Sequence, residues 1–272
     1  MRLSRWIWLL SAAILAFNVV LVIVHPEGKY FVLAASDILP VVCSVLAIVG
    51  TAAAFRRFKT HDEAKPAWLL LLIGVIAFSA AEVLYGFQEL ILGVDMNENY
   101  PNVADIFWVF GYLPFLAGLA LFLRSYVKSG FTFGNWKPAL LPAAAAFVAA
   151  IVLMVAYVFL PISADAGASG IEKFVYNFYP AADMVLLAPA LLLVYITSRF
   201  GRGGLAFPWF CVALGLILFT LSDIAFSIAS WQGNYEYGGV TDLGWNAAYL
   251  AIALGGIFQR EVMVLFGKEA RR

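Results

Sequence analysis

Apolar runs of about 20 residues recur along the chain, near positions 6–24, 31–55, 67–88, 103–123, 138–160, 175–198, 205–230 and 241–259. A helix of that length matches the roughly 30 Å hydrocarbon layer of a bilayer. A soluble core has no use for so many of them. With 64% hydrophobic and only 12% charged residues, the chain sits far from a soluble domain, where about 25% are charged. The expected fold is all-α and integral to the lipid bilayer, with eight transmembrane helices. The first run follows Arg2 and Arg5 as a secretory signal would. It is nevertheless long, and leads into His25-Pro26-Glu27 rather than a small-residue cleavage site, so a retained helix is expected.

The basic residues set the orientation. If both termini are cytoplasmic, the inner segments hold Arg2, Arg5, Arg56, Arg57, Lys59, Lys65, Arg124, Lys128, Lys137, Arg199, Arg202, Arg260, Lys268, Arg271 and Arg272. Of 17 Lys and Arg residues, only Lys29 and Lys173 then fall outside. Such a split is what the positive-inside rule produces, and one span more or fewer would scramble it. The expected location is a cell inner membrane of prokaryotic type, multi-pass. The connections 92–102, 161–173 and 231–240 are too short for a soluble domain.

The second half of the chain repeats the first. Tyr30 and Asp37 correspond to Tyr176 and Asp183, both 146 residues on, and Pro66 corresponds to Pro208. Ser79-Ala-Ala-Glu82 corresponds to Thr220-Leu-Ser-Asp223. The most specific match sets Asp105, Trp108 and Tyr112 against Asp242, Trp245 and Tyr249, each 137 residues later. Residues 1–130 and 131–272 thus form two four-helix units. Four is even, so both units enter the membrane in the same sense and form parallel repeats about an axis along its normal. Inverted repeats need an odd number of helices.

Asp is costly inside a membrane, roughly 2.5–3.5 kcal/mol at a helix centre. Six acids nonetheless lie in or near the spans: Asp37, Glu82, Asp105, Asp183, Asp223 and Asp242. All fall towards the outer half, and no base lies among them within the spans. Two readings stand. In one, Asp105 and Asp242 cap their helices and the remaining acids bond Tyr or Trp across the bundle. In the other, the acids line an outward-facing cavity suited to protons, metal cations or an amine. Asp, Trp and Tyr at i, i+3 and i+7 share one helix face, so Asp105 and Asp242 would each stand above two rings. Trp108, Tyr112, Trp245 and Tyr249 join the acids as candidate ligand-binding residues.

Other signals exclude more than they suggest. Equal numbers of acidic and basic residues, 17 each, with no basic block, argue against nucleic acid. Cys43 and Cys211 lie in apolar runs without CxxC spacing, so neither a disulfide framework nor a zinc site is expected. His25 and His61 fall on opposite sides of the membrane, which rules out bis-histidine haem ligation within one span pair. No phosphate loop, HExxH or GxSxG occurs, no catalytic residues and no cofactor are indicated, and enzyme chemistry is the poorest class. Trp6, Trp8, Trp68, Trp136 and Trp209 sit near the inner span ends and are read as an interfacial belt.

Tyr100-Pro-Asn-Val-Ala-Asp105-Ile-Phe-Trp-Val-Phe-Gly-Tyr112, Tyr179-Pro-Ala-Ala-Asp183, Leu221-Ser-Asp223 and Asp242-Leu-Gly-Trp245-Asn-Ala-Ala-Tyr249 resemble a multi-helix membrane sensory domain of prokaryotic signalling proteins. In that family the domain stands before a diguanylate cyclase (GGDEF), an EAL phosphodiesterase or a histidine kinase. The likeness runs from about Tyr30 to Phe258 and implies sensory input: a signal from the outer side alters helix packing. No such output module follows within this sequence, so a separate cytoplasmic signalling protein is the implied partner. A small ligand or cation from outside and a second copy of the chain are further candidate partners. Two rivals share the features. One is a transporter or channel for protons, cations or a small solute; the other is a structural subunit of a membrane complex.

Overall fold

The computed structural model describes residues 2–24, 26, 28–96, 99–128, 137–199 and 206–269. His25, Trp136, Arg202, Arg271 and Arg272, singled out above, lie outside them. Eight helices are long and apolar enough to cross a membrane, and no strand occurs among the described residues. They are α1 (Arg2–Val24), α2 (Lys29–Phe55), α3 (Lys65–Gly86), α4 (Val103–Lys128), α5 (Lys137–Met154), α6 (Gly170–Arg199), α7 (Phe207–Trp231) and α8 (Val240–Glu269). This is the architecture of a multi-pass membrane protein. Wide π turns prolong two of them: Phe87–Ile91 continues α3, and Val155–Phe159 followed by Leu160–Ala164 continues α5.

The sequence places the helices well and their ends less well. Pro66 and Pro208 occupy the first turns of α3 and α7, where a missing N–H leaves no bond unmade. Pro40, Pro114 and Pro189 lie within helices that continue through them. The last apolar run stops at the first charge, Arg260, whereas α8 runs on to Glu269. A charge ends a membrane span but not a helix.

Six helices form a closed ring. α2 packs on α3 and α8, α3 on α4, α4 on α6, α6 on α7, and α7 on α8. α1 lies outside it against α8, tied by a buried Asn246 Nδ2–H to Asn18 Oδ1 bond of 2.8 Å. α5 and its prolongation also lie outside, with Met154, Val158 and Ile162 packed on Met184 of α6. In lipid, helices associate through close van der Waals contact, which favours small residues at crossings. The α2–α8 crossing shows it: a Cβ added to Gly256 would collide with the backbone of Gly50 and Thr51, and one added to Gly50 with the backbone of Ala253.

α3 and α7 face each other across the ring through aromatic pairs. Trp68 and Trp209 have ring centroids 4.8 Å apart, and Phe78 and Phe219 5.5 Å. This corrects the belt assignment for two of the five tryptophans. Trp68 is 0% and Trp209 4% exposed, whereas Trp6 is 70% exposed. Nearness to a helix end says nothing about which face a side chain is on, and these two point inward. Trp68→Ala is therefore expected to cost about 3 kcal/mol. That is the low end for a Trp truncation, because helices that part in a membrane still lie in lipid. Thermal unfolding in detergent measures it, with Trp6→Ala expected near wild type.

Candidate functional site

The acids gather at one end of the ring because α3 and α7 run up to it while α2, α4 and α8 start from it. Glu82 and Asp223 sit in the last third of α3 and α7, Asp105 and Asp242 in the first turns of α4 and α8, and Asp37 about two turns into α2. The basic residues Arg56, Lys65 and Lys128 stand at or just beyond the opposite ends of α2, α3 and α4, and Arg260 lies in the far part of α8.

Glu82 and Asp223 are held by the same pair of bonds. Glu82 Oε1 accepts the Trp108 indole N–H at 3.4 Å and the Tyr249 hydroxyl at 2.7 Å. Asp223 accepts the Trp245 indole N–H at 2.6 Å on Oδ1 and the Tyr112 hydroxyl at 2.9 Å on Oδ2. Each acid thus takes its indole from the next helix in sequence and its phenol from the distant half. The donors are the Trp and Tyr at matched offsets in α4 and α8. Tyr112 also lies 3.1 Å from Asp183 Oδ1, so one hydroxyl proton stands between two carboxyl groups.

Asp105 and Asp242 do both things that the sequence left open. Asp105 Oδ2 accepts the Asn102 backbone N–H at 2.7 Å, while Asn102 Oδ1 accepts that of Ala104 at 2.9 Å. Together these close the first turn of α4 as a capping box does. Its other oxygen, Oδ1, accepts the Tyr179 hydroxyl at 2.6 Å. Asp242 repeats the arrangement, with Oδ2 taking the Gly238 N–H at 2.8 Å and Oδ1 the Tyr235 hydroxyl at 2.9 Å.

Between these groups is a cavity of about 110 Å³. Asp37, Glu82, Asp105, Asp223 and Asp242 line it, together with Trp108, Tyr112 and Trp245. None of the described residues lining it is Lys, Arg or His. Two of the expected residues stand back from it. Tyr249 is fully buried and supports Glu82, and Asp183 is 1% exposed against Tyr112. Phe78 and Phe219 lie on the cavity wall, and the Trp68–Trp209 pair lies further along α3 and α7 towards the basic end.

Several cavity residues are not among the candidate ligand-binding residues of the sequence. Met96 and Tyr100 come from the α3–α4 connection, Tyr235 and Tyr237 from the α7–α8 connection, and Phe226 from α7. Their rings touch in series. Phe226 is 6.2 Å from Tyr100, 5.4 Å from Trp245 and 5.0 Å from Tyr235 by ring centroids. A seventh acid, Glu89, accepts the Tyr237 hydroxyl at 2.6 Å. It lies in the π turn, one residue beyond the predicted end of the third span, which is why it was missed. Burial pushes the Tyr235 and Tyr237 hydroxyls above their ordinary pKa, as do neighbouring Asp242 and Glu89 respectively. Both therefore remain proton donors at neutral pH.

Among the described residues, no three His, Cys, Asp or Glu side chains converge as metal ligands. Cys43 and Cys211 are buried free thiols. What the arrangement offers is acceptor oxygens, phenol donors and aromatic faces around a small volume. No family model matches the chain, and no curated protein or solved structure matches it either.

Proposed function

We propose that the protein is a membrane sensory or ligand-binding module whose cavity faces outward and whose output is a change in helix packing. The observation that carries this is the crossed hydrogen bonding of Glu82 and Asp223, each bound to a tyrosine from the other half of the chain. A ligand that competes for either carboxyl acts directly on the contact between the halves. The change then depends on the ligand's different affinity for two packings. The recurrence of the indole–phenol pair at matched offsets supports two parallel four-helix repeats. The basic residues at the opposite ends support cytoplasmic termini. A cytoplasmic signalling partner is part of the proposal and rests on the resemblance to prokaryotic sensory domains.

The transporter reading would use the same acids as a pathway. The buried aromatic pairs between α3 and α7 count against it, since conduction needs polar lining right across the membrane. Purified protein in liposomes, under an imposed proton or cation gradient, is expected to pass neither. The variant carrying both Asp105→Asn and Asp242→Asn serves as control. It should fold, because each Asn keeps an acceptor for the backbone N–H just before its helix, that of Asn102 or Gly238, at a cost of about 1 kcal/mol per site. Flux through the wild type that disappears in this variant would replace the sensor with a transporter.

A further inference from the structure

We infer that the cavity takes a small protonated alkylamine, an organic ammonium ion. The inference rests on the ligand-binding reading above and names the chemistry of its ligand. Three independent observations lead to it.

The first is an acceptor without a donor. Asp37 is 5% exposed and lines the cavity, yet no N–H or hydroxyl donates to its Oδ2, and the side chain it meets is another acid, Glu89. Asp105, Asp223 and Asp242 by contrast have both oxygens engaged. A buried carboxyl oxygen is costly to leave unmatched, so it selects a ligand that brings an N–H or O–H. The Tyr100 hydroxyl, also on the cavity wall, has no partner either.

The second is the aromatic wall, whose Trp245 and Tyr235 bond the acids Asp223 and Asp242. Tyr100, Phe226, Tyr235 and Trp245 form a continuous set of rings. Aromatic faces attract ammonium groups within about 6 Å of the ring centre, most strongly where water is excluded. A divalent metal ion needs six or more oxygens at short range, and the described side chains supply no such cluster. Carboxyl groups without a lining base set the sign of the ligand's charge, and the rings set its type.

The third is size. A cavity of about 110 Å³ corresponds to a molecule of roughly four heavy atoms, taking about 30 Å³ as the share of one water. An N–H-bearing ammonium on a short alkyl chain fits that volume. Its N–H groups would bond Asp37 Oδ2, and its charge and chain would lie against the rings.

The test is isothermal titration of the full chain in detergent, in an amine-free buffer, with propylammonium chloride, propan-1-ol and calcium chloride as separate probes. Propylammonium is expected to bind saturably and the other two to give no saturable heat. Asp37→Asn should weaken binding about tenfold or more, the worth of a hydrogen bond between charged groups. Phe226→Leu should weaken it while Phe226→Tyr retains it. The thermal unfolding midpoint of each variant identifies any that fails to fold. Binding unchanged by both Asp37→Asn and Phe226→Leu would place the amine elsewhere and overturn the inference. Saturable binding of propan-1-ol or calcium in place of the amine would overturn the ammonium assignment and leave the cavity a ligand site. No saturable heat from any of the three would overturn both readings.

Discussion

Gly256→Val is expected to abolish the folded protein. α2 and α8 cross with Gly50 against Gly256, so closely that the first carbon of any side chain at Gly256 meets the carbonyl of Gly50 and the backbone nitrogen of Thr51. A clash with a flexible side-chain tip is relieved by a rotamer change. Backbone has no such freedom, and the helices must move apart. Overpacking in a core costs about 1–3 kcal/mol where side chains can yield, so the cost here lies above that range. The ring also closes at this crossing, and Asp37 and Asp242 are carried by the two helices that would separate. Gly256→Ala should already lower the unfolding midpoint, and Gly256→Val should leave no monodisperse peak in detergent. Gly170→Ala is the control. A Cβ there meets nothing within 4 Å, so the effect should stay within about 0.5 kcal/mol. A Gly256→Val protein that unfolds at the wild-type midpoint would show that α2 and α8 do not meet at these glycines.

How much of this was legible in the sequence depends on what kind of feature is asked about. The spans were, because a bilayer imposes length and apolarity on every helix separately. So was the identity of most cavity acids, since a carboxyl group inside a membrane is expensive enough to stand out. The spacing of Asp105, Trp108 and Tyr112 put three side chains on one face, and its recurrence at Asp242, Trp245 and Tyr249 marked two faces of the same kind. What the spacing did not carry is partnership. Nothing local distinguishes Tyr112, which bonds an acid of α7, from a tyrosine bonded within its own half.

Inward and lipid-facing tryptophans were equally indistinct, and Trp68 and Trp209 were assigned to the wrong side for that reason. In a soluble protein a Trp on a polar helix face declares itself. In lipid both faces are apolar, so the pattern is silent. The connections were undervalued for a related reason. Tyr100, Tyr235 and Tyr237 sit in short polar stretches of the kind that usually only joins helices, and only the folded chain turns them over the cavity. The matched pair Trp68 and Trp209, 141 residues apart like Glu82 and Asp223, was the signal that could have corrected the first error. Two equivalent residues on equivalent faces meet where those faces meet.

Tyr112→Phe should destabilise the protein more than Tyr249→Phe, although the two tyrosines occupy matched positions. Tyr249 donates to Glu82 alone, and Glu82 keeps the Trp108 indole when that hydroxyl is removed. Tyr112 stands between Asp223 Oδ2 and Asp183 Oδ1, so its loss leaves Asp223 with the Trp245 indole alone and takes the tyrosine donor from the fully buried Asp183 as well. Each buried polar group left without a partner costs about 1–3 kcal/mol. Tyr249→Phe should therefore cost about 1 kcal/mol and Tyr112→Phe about 2 kcal/mol or more, measured as unfolding midpoints in one detergent. The difference also tests the functional proposal, because these hydroxyls are among the bonds that join the two halves beside the cavity. If they set the packing that a ligand alters, Tyr112→Phe should also change the affinity of the cavity, whereas a stability loss without that change would confine Tyr112 to holding the fold. Equal and small effects from both substitutions would show that the crossed bonds do not hold the halves together, and a ligand acting on Glu82 or Asp223 would then have no lever on the rest of the bundle.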